Sequence, residues 1–590
     1  MLPHRLRRFA TASVVVPLLG ALLLGGGPAR ADNPRPEGAS GWSAKPATSA
    51  RHAMVAAANP LATDAGLAML RRGGNAVDAA IAAQLVLNLV EPQSSGLGGG
   101  GFLLHHDARR NRLTAYDGRE AAPAAARPDR FLDRDGRPLR FHDAVIGGHS
   151  VGVPGLPALL GEVHRRHGRL PWRSLFEPAI VLAEQGFAIS PRLAVLLANE
   201  RFLDQPRAHA YFYAAPGRPH PAGHVLRNPA FAATLRALAA GGADAFYRGP
   251  LARDVVATAN LHPTQRGDLT EQDLAAYRVR VREPVCARYR GHRVCSMPPP
   301  SSGGLAVLQI LGILERFDVA AMPPLSLMSV HFFSEAGRLA YADRDAWIAD
   351  PDFVAPPAGL TDPRYLAARA RLIVPNASLG VAAAGDPAAA RAEPLAAVAA
   401  HSGIDLPSTT QLCVVDRDGN AVALTSSIED AFGSRLLTEG GFLLNNQLTD
   451  FSFVPERAGR AVANRVEGGK RPRSSMAPVI VYDPAGRVTL VTGSPGGSAI
   501  INYVAKTIVA VVDWKLDPQQ AAALPNFGSR NGPTELERGS AVEALAPKLR
   551  ALGHAVALEE LTSGVQAIQR TPRGWRGGAD PRREGVARGN

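Results

Sequence analysis

Cysteine is scarce in this 590-residue chain, with three in all, and that scarcity excludes a disulfide-stapled scaffold. Neither H-E-x-x-H nor C-x-x-C occurs, so the sequence implies no metal and no cofactor. Past residue 27 no apolar run reaches the roughly 20 residues a membrane-spanning helix needs, so no stable membrane span is expected. Aromatic residues make up only 6% and do not interleave with the scattered arginines. The excess of 65 Lys and Arg over 52 Asp and Glu is therefore not the footprint of a nucleic-acid binder.

What is present begins with an export signal. Arg5, Arg7 and Arg8 precede an apolar run from Ala10 to Gly27, and Ala29-Arg30-Ala31 supplies a small-x-small cleavage pattern. Residues 1–31 read as a secretory signal peptide rather than an anchor, because Ser13, Pro17 and several glycines interrupt the run. The expected location is periplasmic or secreted. Cleavage removes four arginines and no acid, taking the formal net charge from +13 to +9. An exported basic protein suits an anionic substrate or an envelope surface.

In an oxidising compartment, Cys286 and Cys295 deserve notice because they sit symmetrically about Arg290-Gly291 in VCARYRGHRVC. If those two residues form a hairpin turn, the cysteines face each other closely enough to bridge. The alternative is two separate buried thiols. Cys413 reads as a core residue.

Residues 32–50 lack periodicity and read as a flexible mature terminus. Helices follow over 61–70 and 76–90, the second capped by Asn75 and apolar nearly all round, so it should be buried on several sides. The glycine run Ser94 to Phe102 leads into a strand pair rather than a helix, which argues against phosphate binding. Arg119, in the DGRE stretch after that pair, is a candidate anion clamp. Gly148-His149-Ser150-Val151-Gly152 matches the G-x-S-x-G nucleophile elbow, but the next helix begins only near Leu156, so the match is set aside. His164 and His167 lie three apart in EVHRRHG and read as part of a solvated basic face. Residues 375–408 are rich in Ala and Pro and read as a flexible tether.

At Ser408-Thr409 this irregular segment gives way to alternation. Thr410–Asp416 and Ala421–Ser427 read as a hairpin closed by an Asp-Gly turn. Two further strands, near 479–483 and 488–492, follow the basic segment Lys470-Arg471-Pro472-Arg473-Ser474-Ser475. Gly496 and Gly497 then offer consecutive backbone N–H groups at a helix start, an arrangement suited to an oxyanion.

Taken in order, SSGLGGGGF, DGREAAP, MPPPSSGG, the Thr409-Thr410 hairpin, LLNNQLTDFS, KRPRSSMAP and GSPGGS closely resemble the γ-glutamyltranspeptidase family from about Arg51 onward. The resemblance implies an α+β fold, a four-layer αββα sandwich of the N-terminal-nucleophile hydrolase type. It implies a precursor that cleaves itself between Ser408 and Thr409, giving a large chain, 32–408, and a small chain, 409–590. Thr409 would then be the nucleophile, with its own new α-amine as base, acting on a small-molecule γ-glutamyl amide such as glutathione. Water or an amino acid or peptide would accept the acyl group. By the same resemblance Arg119 with Ser474 and Ser475 holds the substrate α-carboxylate, and Asp450 with Gln447 holds the α-ammonium. Gly496 and Gly497 form the oxyanion hole, and Ser427 keeps the hydroxyl of a family threonine.

Glu429 departs from the family, standing where an asparagine touches both α-substituents of glutamate. A carboxylate there attracts the ammonium and repels the α-carboxylate. The segment between Asp450 and Ser474 is also short for the lid that many members carry. Two alternatives stand beside the γ-glutamyl reading: the same chemistry on another acyl group, as in a cephalosporin acylase, and an inactive binding scaffold.

Overall fold

The computed structural model describes residues 41–201, 203–387 and 408–590. The expected signal peptide, and residues 388–407 of the expected tether, lie outside the described residues. Fourteen strands build the core: β1 (Thr48–Ala50), β2 (Met54–Ala57), β3 (Gly100–Asp107), β4 (Arg112–Gly118), β5 (Arg280–Arg282), β6 (Val285–Tyr289), β7 (His292–Ser296), β8 (Ser408–Val415), β9 (Ala421–Glu429), β10 (Val479–Tyr482), β11 (Val488–Gly493), β12 (Gln566–Thr571), β13 (Gly574–Ala579) and β14 (Val586–Gly589). They form two seven-stranded sheets, ordered β1-β13-β12-β11-β10-β7-β6 and β14-β2-β8-β9-β3-β4-β5. Each pairing in both sheets is antiparallel.

The period of two along a strand explains the layering. On β8, Leu412 and Val414 join a core with the helices α1 (Pro60–Arg71), α2 (Ala76–Val90) and α3 (Leu156–His167). Cys413 and Val415 point the other way, into a core shared with the second sheet and with α4 (Gly303–Leu314), α5 (Leu327–Trp347) and α6 (Ile500–Val512). The stack of helix, sheet, sheet, helix is an α+β, four-layer αββα sandwich. Helix α2 is buried along its whole length, as its composition requires. Asn75 opens it with a capping box: its Oδ1 accepts from Asp78 N at 3.1 Å, and Asp78 Oδ2 accepts from Asn75 N at 2.9 Å.

Three local expectations meet a different structure. The stretch 41–50 is not loose throughout, because β1 pairs with β13 and Lys45 Nζ donates to the carbonyls of Asp580 and Gly585 at 2.7 and 2.6 Å. The first part of the expected tether is pinned as well. Glu335 accepts from Ser378 Oγ and Leu379 N at 2.8 and 2.7 Å, and Asp343 accepts from Gly385 N at 2.8 Å. Low apolar content concealed both, because buried polar side chains on α5 and the carbonyls of Asp580, Arg583 and Gly585 do the holding. His167, finally, is not part of a solvated face: its Nε2 lies 2.6 Å from Tyr116 Oη, and its ring packs 4.1 Å from that of His105. In the β6–β7 hairpin Cys286 and Cys295 face each other and are disulfide-bonded. Arg290 and Gly291 form the turn, both with positive φ, the conformation that matches strand twist in a two-residue hairpin.

Candidate active site

Strands β8 and β9 lie at the centre of their sheet, and the site grows from the open end of that pair. Thr409 faces Ser427 and Ser408 faces Glu429, so Ile428 is an extra residue on β9. Such bulges re-aim side chains. Glu429 carries a φ of +78°, a strained conformation for a long side chain. The hydroxyls at this end form one chain. Thr409 Oγ1 donates to Ser427 Oγ at 3.2 Å, Ser427 Oγ donates to the Ser408 carbonyl at 2.8 Å, and Glu429 N donates to Ser427 Oγ at 2.9 Å. The neighbouring Thr410 points away, donating to Glu91 Oε2 at 2.9 Å.

A small cavity at this point is lined by Arg119, Thr409, Ser427, Glu429, Gln447, Asp450, Ser474, Ser475, Met476, Gly497 and Ile500. Nine of the ten site residues read from the sequence therefore line one space, and Gly496 sits directly beside the ninth. They arrive from separate elements. Arg119 follows β4, Gln447–Asp450 is a 3₁₀ turn, Ser474 and Ser475 precede β10, and the glycines join β11 to α6. Gly496 has a φ of +136°, and a Cβ there would lie 2.5 Å from the Tyr503 ring, so only glycine fits. The Gly496-Gly497 pair leads through a short 3₁₀ turn into α6, in which Ala499 N donates to the Gly496 carbonyl at 3.2 Å.

Arg119 is 1% exposed and held from behind: its Nε donates to the Pro472 carbonyl at 3.1 Å and its Nη2 to the Arg473 carbonyl at 2.9 Å. It also pairs with Asp450, which accepts from Gln447 Nε2 at 2.7 Å. The two charges expected to grip opposite ends of a substrate thus grip each other. A zwitterionic α-amino-acid group can replace that pair with two of its own. Glu120 Oε2 lies 3.7 Å from Arg119 Nη1, and neither Glu120 oxygen has a hydrogen-bond partner among the described residues. Burial pushes the Glu120 carboxyl up to about 8, against the lowering influence of Arg119. Glu429 accepts from Asn446 Nδ2, and Thr449 Oγ1 lies 3.5 Å from the same oxygen, so its carboxylate is turned to that side.

Other groups singled out by pattern resolve differently. Ser150 sits in a 3₁₀ turn with no strand before it, and its Oγ faces the carbonyls of Val145 and Gly147 at 2.6 and 3.0 Å. His331, Glu335 and His554 come together with ligand atoms within 4.8 Å of one another, a grouping their sequence spacing hides. Each is spent on protein groups, however. His331 Nε2 must donate to the Val374 carbonyl at 2.8 Å, His331 Nδ1 meets His554 Nε2 at 2.8 Å, and Arg338 Nε donates to Glu335 Oε1 at 2.8 Å. A guanidinium at the carboxylate opposes a dication there. The sequence reading missed Met476 and Ile500 in the lining. It also missed Arg583, whose Nη1 donates to the Thr409 carbonyl at 3.1 Å, and Glu120, which sits next to the flagged Arg119.

An αββα sandwich with a hydroxyl residue near the start of a central strand, facing a polar cavity, defines an N-terminal-nucleophile hydrolase. The Gamma-glutamyltranspeptidase family model matches residues 62–590, and the chain belongs to that family. It is 38% identical over 548 residues to the glutathione hydrolase proenzyme of Escherichia coli strain K12, covering 90% of this chain and 91% of that one. It is 35% identical over 546 residues to the acylase ACY 1 proenzyme of Pseudomonas sp. strain V22, covering 91% and 92%. Among solved structures, the cephalosporin acylase from Bacillus halodurans superposes with a TM-score of 0.80 at 28% identity, covering 93% of this chain and 97% of that one.

Proposed function

We propose that this enzyme is an exported, self-processing γ-glutamyl hydrolase and transferase acting on glutathione or related amides. The observation that carries the reading is the cavity in which Thr409 meets Arg119, Asp450, Gln447, Ser474 and Ser475. Processing comes first. Thr409 Oγ1 attacks the Ser408 carbonyl carbon, whose oxygen already accepts from Ser427; the Ser408–Thr409 C–N bond breaks, which frees the Thr409 α-amine and leaves Ser408 as an ester on Oγ1. Water hydrolyses that ester to the Ser408 carboxylate and the Thr409 hydroxyl, leaving the large chain from Asp32 to Ser408 and the small chain from Thr409 to Asn590. Loss of the 1–31 signal places the product in the periplasm or outside the cell.

In turnover Thr409 Oγ1 attacks the γ-carbonyl while its α-amine takes the hydroxyl proton and passes it to the leaving amine. Gly496 and Gly497 N–H groups stabilise the oxyanion, and removing one such donor typically costs roughly 3 kcal/mol. Arg119 with Ser474 and Ser475 takes the α-carboxylate, while Asp450 and Gln447 take the α-ammonium. Water or an amino acid or peptide then resolves the acyl-enzyme. The test is mass spectrometry of the purified protein together with γ-glutamyl-anilide turnover on the same sample. A small fragment beginning at Thr409 and active turnover are expected; an intact chain, or a new terminus at Thr410, overturns the assignment.

A second reading keeps the chemistry and changes the acyl group, toward a glutaryl or cephalosporin side chain. Glu429 in the cavity lining favours it, as do the likenesses to acylases. The Glu429→Asn variant separates the two. On the γ-glutamyl reading Glu429 attracts the ammonium, so the variant loses preference for γ-glutamyl-anilide over glutaryl-anilide. A substantial rise in γ-glutamyl turnover instead supports the second reading.

A further inference from the structure

Arg344 lies on α5, 4% exposed, and no sequence pattern links it to the site. Its guanidinium nevertheless reaches three groups at once. Nη2 donates to Ser475 Oγ at 2.7 Å, Nε donates to Ser302 Oγ at 2.9 Å, and Nη1 donates to Asp345 Oδ1 at 2.8 Å. Ser302 in turn uses both of its donors on the Ser474 carbonyl, its N at 2.7 Å and its Oγ at 2.6 Å. One buried cation therefore touches Ser475 directly and Ser474 through a single intermediary. It ties the MPPPSSGG segment before α4 to the KRPRSSMAP segment before β10.

We infer that Arg344 is a positioning residue for α-carboxylate recognition, orienting the Ser475 hydroxyl as a donor toward the cavity that Ser475 lines. A hydroxyl oxygen that accepts from a guanidinium turns a lone pair to it, so its own proton points away from the guanidinium. Polarisation by the cationic donor also strengthens the bond that the hydroxyl itself gives. The charge is balanced at the rim by Asp345, which also pairs with Arg473 at 3.1 Å, so the cation orients the serine without standing alone. The planar fork matters here, because a lysine ammonium on a flexible stem does not hold two hydroxyls in fixed directions. This inference rests on the γ-glutamyl reading and adds to it the residue that makes Ser475 a directed donor.

The test compares γ-glutamyl-4-nitroanilide with the same anilide bearing a neutral α-carboxamide, using processed protein confirmed by mass spectrometry. Arg344→Met is expected to raise KM for the carboxylate substrate about 10-fold with little change in kcat, and to leave the carboxamide substrate nearly unaffected. Ser475→Ala should do the same, and the double variant should lose little more than either single one. Arg344→Lys keeps the charge but is expected to recover only part of the loss. Equal losses on both substrates, or fully additive effects of Arg344→Met and Ser475→Ala, overturn the inference in favour of a purely structural role. Failure of both Arg344 variants to give folded, processed protein overturns it likewise. Wild-type protein that leaves γ-glutamyl-4-nitroanilide intact refutes the substrate reading itself, a result distinct from either of these.

Discussion

Ser150 and Thr409 are two buried hydroxyls, each flagged by a pattern that marks nucleophiles, and their surroundings differ in kind. Ser150 sits inside a 3₁₀ turn with its Oγ against two carbonyls, so its proton is already committed to holding the turn. Thr409 stands beside a bulge at the end of a central strand pair, donates to another hydroxyl, and lines a cavity with three serines, an arginine and three further polar side chains. The residues around Ser150 match G-x-S-x-G, whereas Thr409 shares its cavity with residues from five other segments of the chain. A nucleophile is recognised by what converges on it, and a five-residue pattern says little about convergence.

The comparison breaks first, and with the largest effect, at Thr409 itself. Thr409→Ala is expected to yield an uncleaved chain by mass spectrometry and to lower γ-glutamyl-anilide turnover by at least about 10⁴-fold; a processed and active variant would show that the nucleophile lies elsewhere. Next comes Ser427→Ala, which removes the donor to the Ser408 carbonyl. Its processing rate, followed by gel densitometry, should fall about 100-fold, and normal processing would detach Ser427 from the reaction.

A smaller effect is expected from Glu120, whose carboxyl is neutral below about 8 and ionises above it. Its negative charge then competes for Arg119, so KM for γ-glutamyl-anilide should rise several-fold as pH rises through about 8. Glu120→Gln should abolish that rise while leaving the low-pH KM unchanged, and persistence of the rise would trace it to another group. The raised value also means that ionisation opposes folding, so the stability contributed by the neutral form is fully present below the ordinary carboxyl value of 4.5, falls as pH rises above it, and is gone past about 8. The smallest effect belongs to Ser150→Ala. Turnover should stay within about twofold while thermal or denaturant unfolding shows a loss of about 1 kcal/mol, and a large drop in turnover would restore the elbow motif as a rival.

Much of the site was legible in the chain because chemistry leaves ordered residues. The Asn75 cap, the hairpin of 410–416 with 421–427, the turn at Arg290-Gly291 and the paired glycines 496 and 497 rest on local rules that act within a few residues, whereas the roles of Ser474 and Ser475 came through the family resemblance. The misreadings arose where holding groups were distant. Residues 41–50 and 376–387 look loose by composition and are held by backbone carbonyls or by side chains elsewhere in the chain. His167 reads as solvated until Tyr116 and His105 are placed beside it.

The sequence by itself determined the strand pair that carries Thr409, and its resemblance to the γ-glutamyltranspeptidase family implied the sandwich and nine of the residues that line the cavity. Spacing of two and of 3.6 residues decides which side chains face a core, and those periods can be read without coordinates. Only the tertiary structure decided that Thr410 turns to Glu91 while Thr409 turns to the cavity, that Arg119 pairs with Asp450, and that Arg344 reaches Ser475 from 131 residues away. Those outcomes depend on directions in space between segments that folding alone brings together. A hydrogen bond depends steeply on angle as well as distance, so no order of residues along a chain can state it.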